Sequence, residues 1–244
     1  MWSPVVATEV GLLQGTFYLN TVEGLERIAA DEVRKLDGRI AVQVLPFGHV
    51  RVAGDVDPEA LLDLKVPEDV FFLLYESKEI TRSRSSLGDI YRAVARADSF
   101  NRGVTVRRAT RRKWPKRVSF HVVARKIGQH NFTRLDLKKA VHNAVEARTN
   151  GRWRSVDSNA DVEIWVEVEN EHCLVGVRLS DRTMRHRTYK VQHIEASLRP
   201  TVAHAMVLLT RPRYDDVFCD PMCGAGTILI ERGAAGKYQL LLGG

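Results

Sequence analysis

Residues 220–227 read Asp220-Pro221-Met222-Cys223-Gly224-Ala225-Gly226-Thr227, between the apolar run Val217-Phe218-Cys219 and a helix-like stretch, Thr227–Ala235. An acid at the end of a strand, two glycines one residue apart and a helix start let backbone approach a ligand closely. Glycine accepts positive φ and carries no side chain to hold the ligand off. No lysine follows, so the turn is not the phosphate loop G-x-x-x-x-G-K-[ST], and Ile228-Leu229 stand where the dinucleotide spacing G-x-G-x-x-G would end. A carboxylate at this place suits a cationic amino group better than a phosphate. S-adenosylmethionine carries such a group and no phosphate, so these eight residues form a candidate set for that cofactor. Taken alone, the turn is compatible with ligand binding and equally with a tight structural turn.

A second group has the chemistry of polyanion contact. From Ser99 to Leu135 there is no acidic residue among 37, against 11 Lys and Arg. The dense part holds Arg107, Arg108, Arg111, Arg112, Lys113, Lys116 and Arg117, with Trp114 among them as a stacking face. Guanidinium forks match phosphate oxygens, and an aromatic ring between cations can stack on an unpaired base. Pro115 and the lack of helical periodicity predict a loop or short strands over 107–117. Arg125, Lys126, His130, Asn131, Arg134, Lys138 and Lys139 surround the start of a further helix, whose free amides can also meet phosphate. Phe132 and Trp153 read as core residues, and Trp165 as covered rather than free to stack. The alternative for the whole tract is a solvated basic surface.

These groups need a scaffold. Residues 16–80 alternate in type: a strand at TFYLN, a helix over 22–36, strands at 39–45 and 49–54, a short helix at 57–64 with Pro58 in its first turn, and a strand at 69–80. That β-α-β-β-α-β order is the one of a ferredoxin-like module, which by itself says nothing of activity. Ser86-Leu87-Gly88-Asp89 has capping-box spacing before a helix burying Ile90, Tyr91, Val94 and Ala97. Thr133-Arg134-Leu135-Asp136 repeats the spacing before a helix whose Leu137, Val141, Ala144 and Val145 face inward. Residues 118–127 alternate as a strand; 161–169 show strict period two, with 172–179 as the hairpin partner across Asn170-Glu171. Residues 181–200 lack periodicity. An apolar helix starts at Pro200, and YQLLLGG after the glycine turn reads as one more strand.

Charge divides along the chain. Residues 1–80 hold 7 Lys/Arg against 14 Asp/Glu; residues 81–244 hold 30 against 16, and the whole carries a formal +7. An acidic module is thus joined to one that meets a polyanion. Cys173, Cys219 and Cys223 are too few for a disulfide framework, Cys219-x3-Cys223 lacks a second pair for zinc, and the eight histidines show no ligand spacing; reduced cysteines and no metal are expected. Apolar runs such as VFFLLY and AMVLL are too short to span a bilayer, and no basic segment followed by an apolar core opens the sequence. The expectation is no membrane association and a cytoplasmic location.

DPMCGAGT, preceded by ASLRPTVAHAMVLL, resembles the start of the class I methyltransferase domain in THUMP-containing RNA methyltransferases. These include the tRNA guanine-N2 methyltransferases and relatives described as N6-adenine-specific methylases. RKIGQHNFTRLDLKKAVHNAV and DVEIWVEVENEHCLVGVRL resemble the THUMP helix and paired strands. The resemblance covers nearly the whole chain and implies an α+β protein: a ferredoxin-like domain over 1–84, THUMP over 85–181, a linker over 182–200, and the first strand and helix of a Rossmann-like methyltransferase domain over 201–244. It implies RNA, foremost tRNA, as partner and S-adenosylmethionine as cofactor. The family's ribose-holding acid and its N/D-P-P-Y/F target-base motif are not found, the eight prolines including no Pro-Pro pair. The expectation is the RNA-binding front part of an enzyme, inactive as this chain and binding S-adenosylmethionine weakly or not at all. The alternative is a non-catalytic RNA-binding module with a vestigial cofactor strand. A lone βαβ start cannot cover both faces of its strands, so residues 213–244 are expected to be disordered or packed on another copy.

Overall fold

The computed structural model describes residues 13–111, 113–189 and 197–244. Ten strands and seven helices occur among them. In chain order they are β1 (Leu13–Asn20), α1 (Glu26–Arg34), β2 (Ala41–Val44), β3 (His49–Val56), α2 (Pro58–Leu62), β4 (Asp69–Ser77), α3 (Ser85–Arg96) and α4 (Ser99–Ala109). There follow β5 (Ser119–Ile127), α5 (Arg134–Thr149), β6 (Arg154–Ser155), β7 (Val162–Glu169), β8 (His172–Arg178), α6 (Pro200–Leu209), β9 (Val217–Asp220), α7 (Thr227–Ala234) and β10 (Leu240–Gly243). Eight strands form one mixed sheet in the order β2-β3-β1-β4-β8-β7-β5-β6, and β9 and β10 form a second, two-stranded sheet. The run β2-β3-β1-β4 is the strand order a β-α-β-β-α-β module makes when its two halves interleave. The protein is α+β, with two compact units: one of residues 13–16, 53–61 and 72–179, the other of 17–52, 62–71 and 180–244.

The first unit centres on β5, β7 and β8. β5 and β7 run parallel from Phe120↔Val162 to Ile127↔Glu169, and β7 and β8 are antiparallel around Asn170, whose φ of 55° makes the tight turn. Val162, Ile164, Val166 and Val168 are buried as period two requires. Glu167 and Glu169 on the other face are buried as well, so the face read as polar is not a solvated one at this end. α5 carries its cap as the sequence predicts. Thr133 Oγ1 accepts from Asp136 N at 3.1 Å while the Asp136 carboxylate accepts from Thr133 N at 2.8 Å, and Leu137, Val141, Ala144 and Val145 are buried. Each link satisfies an amide that a helix start otherwise leaves open.

Two local expectations are corrected. Ser86 caps nothing: α3 begins at Ser85 without a side-chain cap, and Ser86 Oγ instead accepts from Thr81 N at 3.1 Å. Residues 99–109 form α4, so Arg107 and Arg108 stand in a last helical turn and not in a loop. The periodicity was hidden because α4 buries Phe100, Gly103, Val106 and Arg107, a set containing a glycine and a cation. Gly103 is there for closeness: a Cβ would lie 3.0 Å from Phe72 Cδ1 and 3.3 Å from Val177 Cγ2.

In the second unit, Tyr18 stacks on Phe71 at 4.6 Å, and Glu32 of α1 accepts from the backbone amides of Lys65 (2.8 Å) and Val66 (3.0 Å). α6 starts with Pro200 at a position where a missing amide proton costs nothing. Residues 213–244 follow a β-α-β path. It is tied together by Arg232, wholly buried in α7, whose guanidinium donates to the carbonyls of Arg213 (2.6 Å), Lys237 (3.1 Å) and Gly236 (3.3 Å) and meets Asp216. The uncovered apolar surface expected of so small a sheet is present: Val217, Leu240 and Leu242 are 55%, 47% and 44% exposed.

Candidate functional site

The glycine turn is built by β9, which pairs in parallel with β10 from Val217↔Leu240 to Asp220↔Gly243, and by α7, which begins right after it. Gly224 and Gly226 have φ of 50° and 68°. Gly226 occupies the N-cap position of α7 with no side chain to close the helix start, and a Cβ at either glycine would meet nothing within 4 Å. Open backbone at a helix N-terminus is a place where a ligand can reach amide donors. Asp220 sits at the strand end and accepts from Met222 N at 3.2 Å; Cys223 N donates to Gly244 O at 3.1 Å, and Gly226 N to Cys223 O at 2.8 Å. Pro221, Met222 and Gly224 are exposed, Cys223, Ala225 and Gly226 half-buried and Thr227 buried. An acid beside an open, glycine-lined turn fits a small molecule with a cationic amino group.

The basic residues separate into three sets. Arg108, Lys113, Lys116, Arg117, Arg134 and Lys139 are exposed, and Trp114 and Lys138 are half-buried. Arg125 and Lys126 are partly engaged: the Arg125 guanidinium lies 3.6 Å from Glu167 and 3.8 Å from Glu169, and Lys126 Nζ donates to Gly128 O at 3.0 Å. Arg107 leaves the candidate surface, being 5% exposed, with its guanidinium donating to Leu179 O at 2.5 Å and Asp161 O at 3.2 Å. Arg111 pairs with Asp161 at 3.0 Å, and Arg112 lies outside the described residues. Burial works against the Asp161 carboxylate. Hydrogen bonds from Ser119 Oγ (2.6 Å) and N (2.8 Å) and the Arg111 charge outweigh it, so its pKa lies below the usual range.

At the start of α5 the amides are met from within. The backbone amide of Thr133 and the Arg84 guanidinium, 3.1 Å away, hold the Asp136 carboxyl at about 2. A permanent carboxylate thus occupies the helix start offered for phosphate. His130 Nε2 lies 2.8 Å from Asn170 O, and Asn131 is exposed. Phe132 is buried, and Trp153, half-buried, packs at 5.8 Å from Phe100. Trp165 is covered by the Arg178 guanidinium, 5.6 Å from its ring.

Sequence reasoning passed over a buried polar cluster. Glu231 of α7, 1% exposed, accepts from Tyr189 Oη (2.5 Å) and Arg187 Nε (3.2 Å), and its other oxygen lies 2.9 Å from His204 Nδ1. Burial pushes its pKa up, but the hydrogen bonds of His204, Tyr189 and Arg187 prevail and hold it low. The same surroundings push the Tyr189 hydroxyl up, burial first and Glu231 next. The signal was available: Glu231 and Arg232 are adjacent charges in an otherwise apolar helical run. Among the described residues no group of three or more His, Cys, Asp and Glu could hold a metal, and no helix is long and apolar enough to cross a membrane.

Residues 104–178 match the THUMP domain, and residues 187–241 match the RMKL-like methyltransferase domain. The two matches thus lie one after the other on the chain, and the glycine turn falls in the second. Among particular proteins, it is 29% identical over 223 residues to the tRNA (guanine(6)-N2)-methyltransferase of Methanocaldococcus jannaschii, covering 88% of this chain and 55% of that one. It thus spans about half the length of that relative. TrmN from Thermus thermophilus has the same fold, with a TM-score of 0.73 at 24% identity over 93% of this chain and 64% of that one. So has SMU.472, a protein solved in complex with SAH, with a TM-score of 0.67 at 20% identity over 91% of this chain and 55% of that one.

Proposed function

We propose that this chain supplies the RNA-binding part and the cofactor loop of an S-adenosylmethionine-dependent RNA methyltransferase acting on guanine N2 of tRNA. The domain order is ferredoxin-like, THUMP, then methyltransferase start. The observation that carries the reading is a THUMP domain on the same chain as an open glycine turn with Asp220 at its strand end. Bound S-adenosylmethionine supplies an electrophilic methyl group. Asp220 would face its cationic amino group, and Gly224, Ala225 and Gly226 would let it lie against backbone. The exposed cations Arg108, Lys113, Lys116, Arg117, Arg134 and Lys139 would hold RNA phosphates. Such chemistry depends on placing the amine in line with the methyl more than on proton transfer.

The missing Pro-Pro pair favours a second, finer reading: the 244-residue polypeptide binds RNA without methylating it. The deciding experiment incubates the purified chain with labelled S-adenosylmethionine and tRNA and measures tRNA retention separately. Retention without label transfer supports the binding role of this polypeptide, transfer to guanine overturns its inactivity, and failure to retain tRNA overturns the RNA reading itself.

A further inference from the structure

The buried carboxylate of Glu231 joins parts of the chain that are far apart in sequence. It receives Arg187 and Tyr189 from the segment that follows THUMP in sequence, and His204 from α6. The rest of the Arg187 guanidinium donates to Met184 O and to Lys65 O, each at 2.6 Å. His204 Nε2 lies 3.8 Å from Glu32, the carboxylate that holds the amides of Lys65 and Val66. Arg187, Tyr189 and His204 thus meet on the Glu231 carboxylate, and the 65–66 loop is tied to this cluster through Arg187 and through Glu32. Removing one partner of such a buried set leaves the others unmatched, so the contacts act together.

α7 is the helix whose first residues close the glycine turn, and it has only eight residues. Gly226 gives it no side-chain cap, so neither the turn nor the short helix fixes its own direction. One turn from that start, Glu231 provides the fixing point, and its partners come from outside the β-α-β segment. We propose that Glu231, Arg187 and Tyr189 are positioning residues: docking of the 184–189 segment on Glu231 sets α7 and with it the Gly224–Gly226 turn. The segment that leads away from the RNA-binding domain would thereby tune the cofactor site. This rests on the cofactor reading given above.

The test uses hydrogen–deuterium exchange on the whole chain, comparing the native sequence with Arg187→Ala and Tyr189→Phe, neither of which lies in the turn. Loss of a charge-assisted hydrogen bond is expected to raise exchange of the amides of residues 230–234 about tenfold or more, with those of α5 unchanged. Arg187→Ala combined with Glu231→Gln should raise exchange by less than the product of the two single effects, because they share one contact. Native exchange at 230–234 in both variants, or an equal rise in α5, would overturn the proposal. Calorimetric titration with S-adenosylhomocysteine forms the second arm. If the native chain binds, weaker binding by Tyr189→Phe supports the coupling and unchanged binding refutes it. If the native chain does not bind, the cofactor reading fails for this polypeptide, and the exchange arm alone decides whether 184–189 sets α7.

Discussion

The β5-β7-β8 core and the β9-α7-β10 segment solve the same problem by opposite means. In the first, four valine and isoleucine positions of β7 and the inner face of α5 exclude water, and non-directional burial does the work. In the second, the strands leave Val217, Leu240 and Leu242 largely in solvent, and two buried charges of α7, Glu231 and Arg232, hold the path together. An apolar core tolerates small shifts, whereas a charge network requires each partner in place. The glycine turn is built on the more exacting of the two.

The largest expected effect breaks the second region. Glu231→Ala leaves Arg187 and His204 without their buried partner and is expected to cost about 3–5 kcal/mol, read as loss of protection in residues 213–244. Its pH dependence separates it from packing. Because the folded carboxyl is held low, its contribution is complete above the ordinary glutamate range and is lost as pH falls through the lowered value. The difference between native and variant should therefore shrink in acid. Leu137→Ala in the apolar core should cost about 2–5 kcal/mol in urea unfolding, with no such pH signature.

Two neighbouring arginines sharpen the contrast further. Arg107→Ala strips the Leu179 and Asp161 carbonyls of a donor and should destabilise by about 1–3 kcal/mol, leaving the salt dependence of RNA binding alone. Arg108, Lys113, Lys116 and Arg117 replaced together by Ala should do the reverse: little change in melting, but a log–log salt slope flatter by roughly 0.7–0.9 per phosphate lost. An unchanged slope would move the RNA contact to Arg134 and Lys139. The smallest effect is at the α5 cap. Thr133→Ala should cost about 1 kcal/mol. The link through Asp136, whose pKa is lowered to about 2, is complete above the ordinary aspartate range and fades toward pH 2.

Where one interaction dominates locally, the sequence was readable. The Thr133–Asp136 box, the Asn170 turn, the period-two face of β7 and the glycine turn all follow from residues within a few positions of one another. What escaped depends on distant partners. α4 was obscured because its inner face includes Gly103 and Arg107, whose reasons for burial lie on β4, β8 and the 161 and 179 carbonyls. Ser86 was misread as a cap because its partner, Thr81, is outside the helix. Of the candidate site, the turn was legible, whereas of the Glu231 cluster only the adjacent charges Glu231 and Arg232 gave a signal, since their partners come from residues 187, 189 and 204.

Gly103 acts as a spacer. With Phe72, Val177 and Leu74 all within 3.4 Å of where its Cβ would stand, even a methyl group asks interior side chains to retreat or α4 to lift. Lifting the helix would draw the Arg107 guanidinium off the carbonyls it serves one turn later and shift where the chain leaves α4 toward Lys113 and Lys116. A single absent side chain thus lets α4 lie close enough for Arg107 to reach those carbonyls.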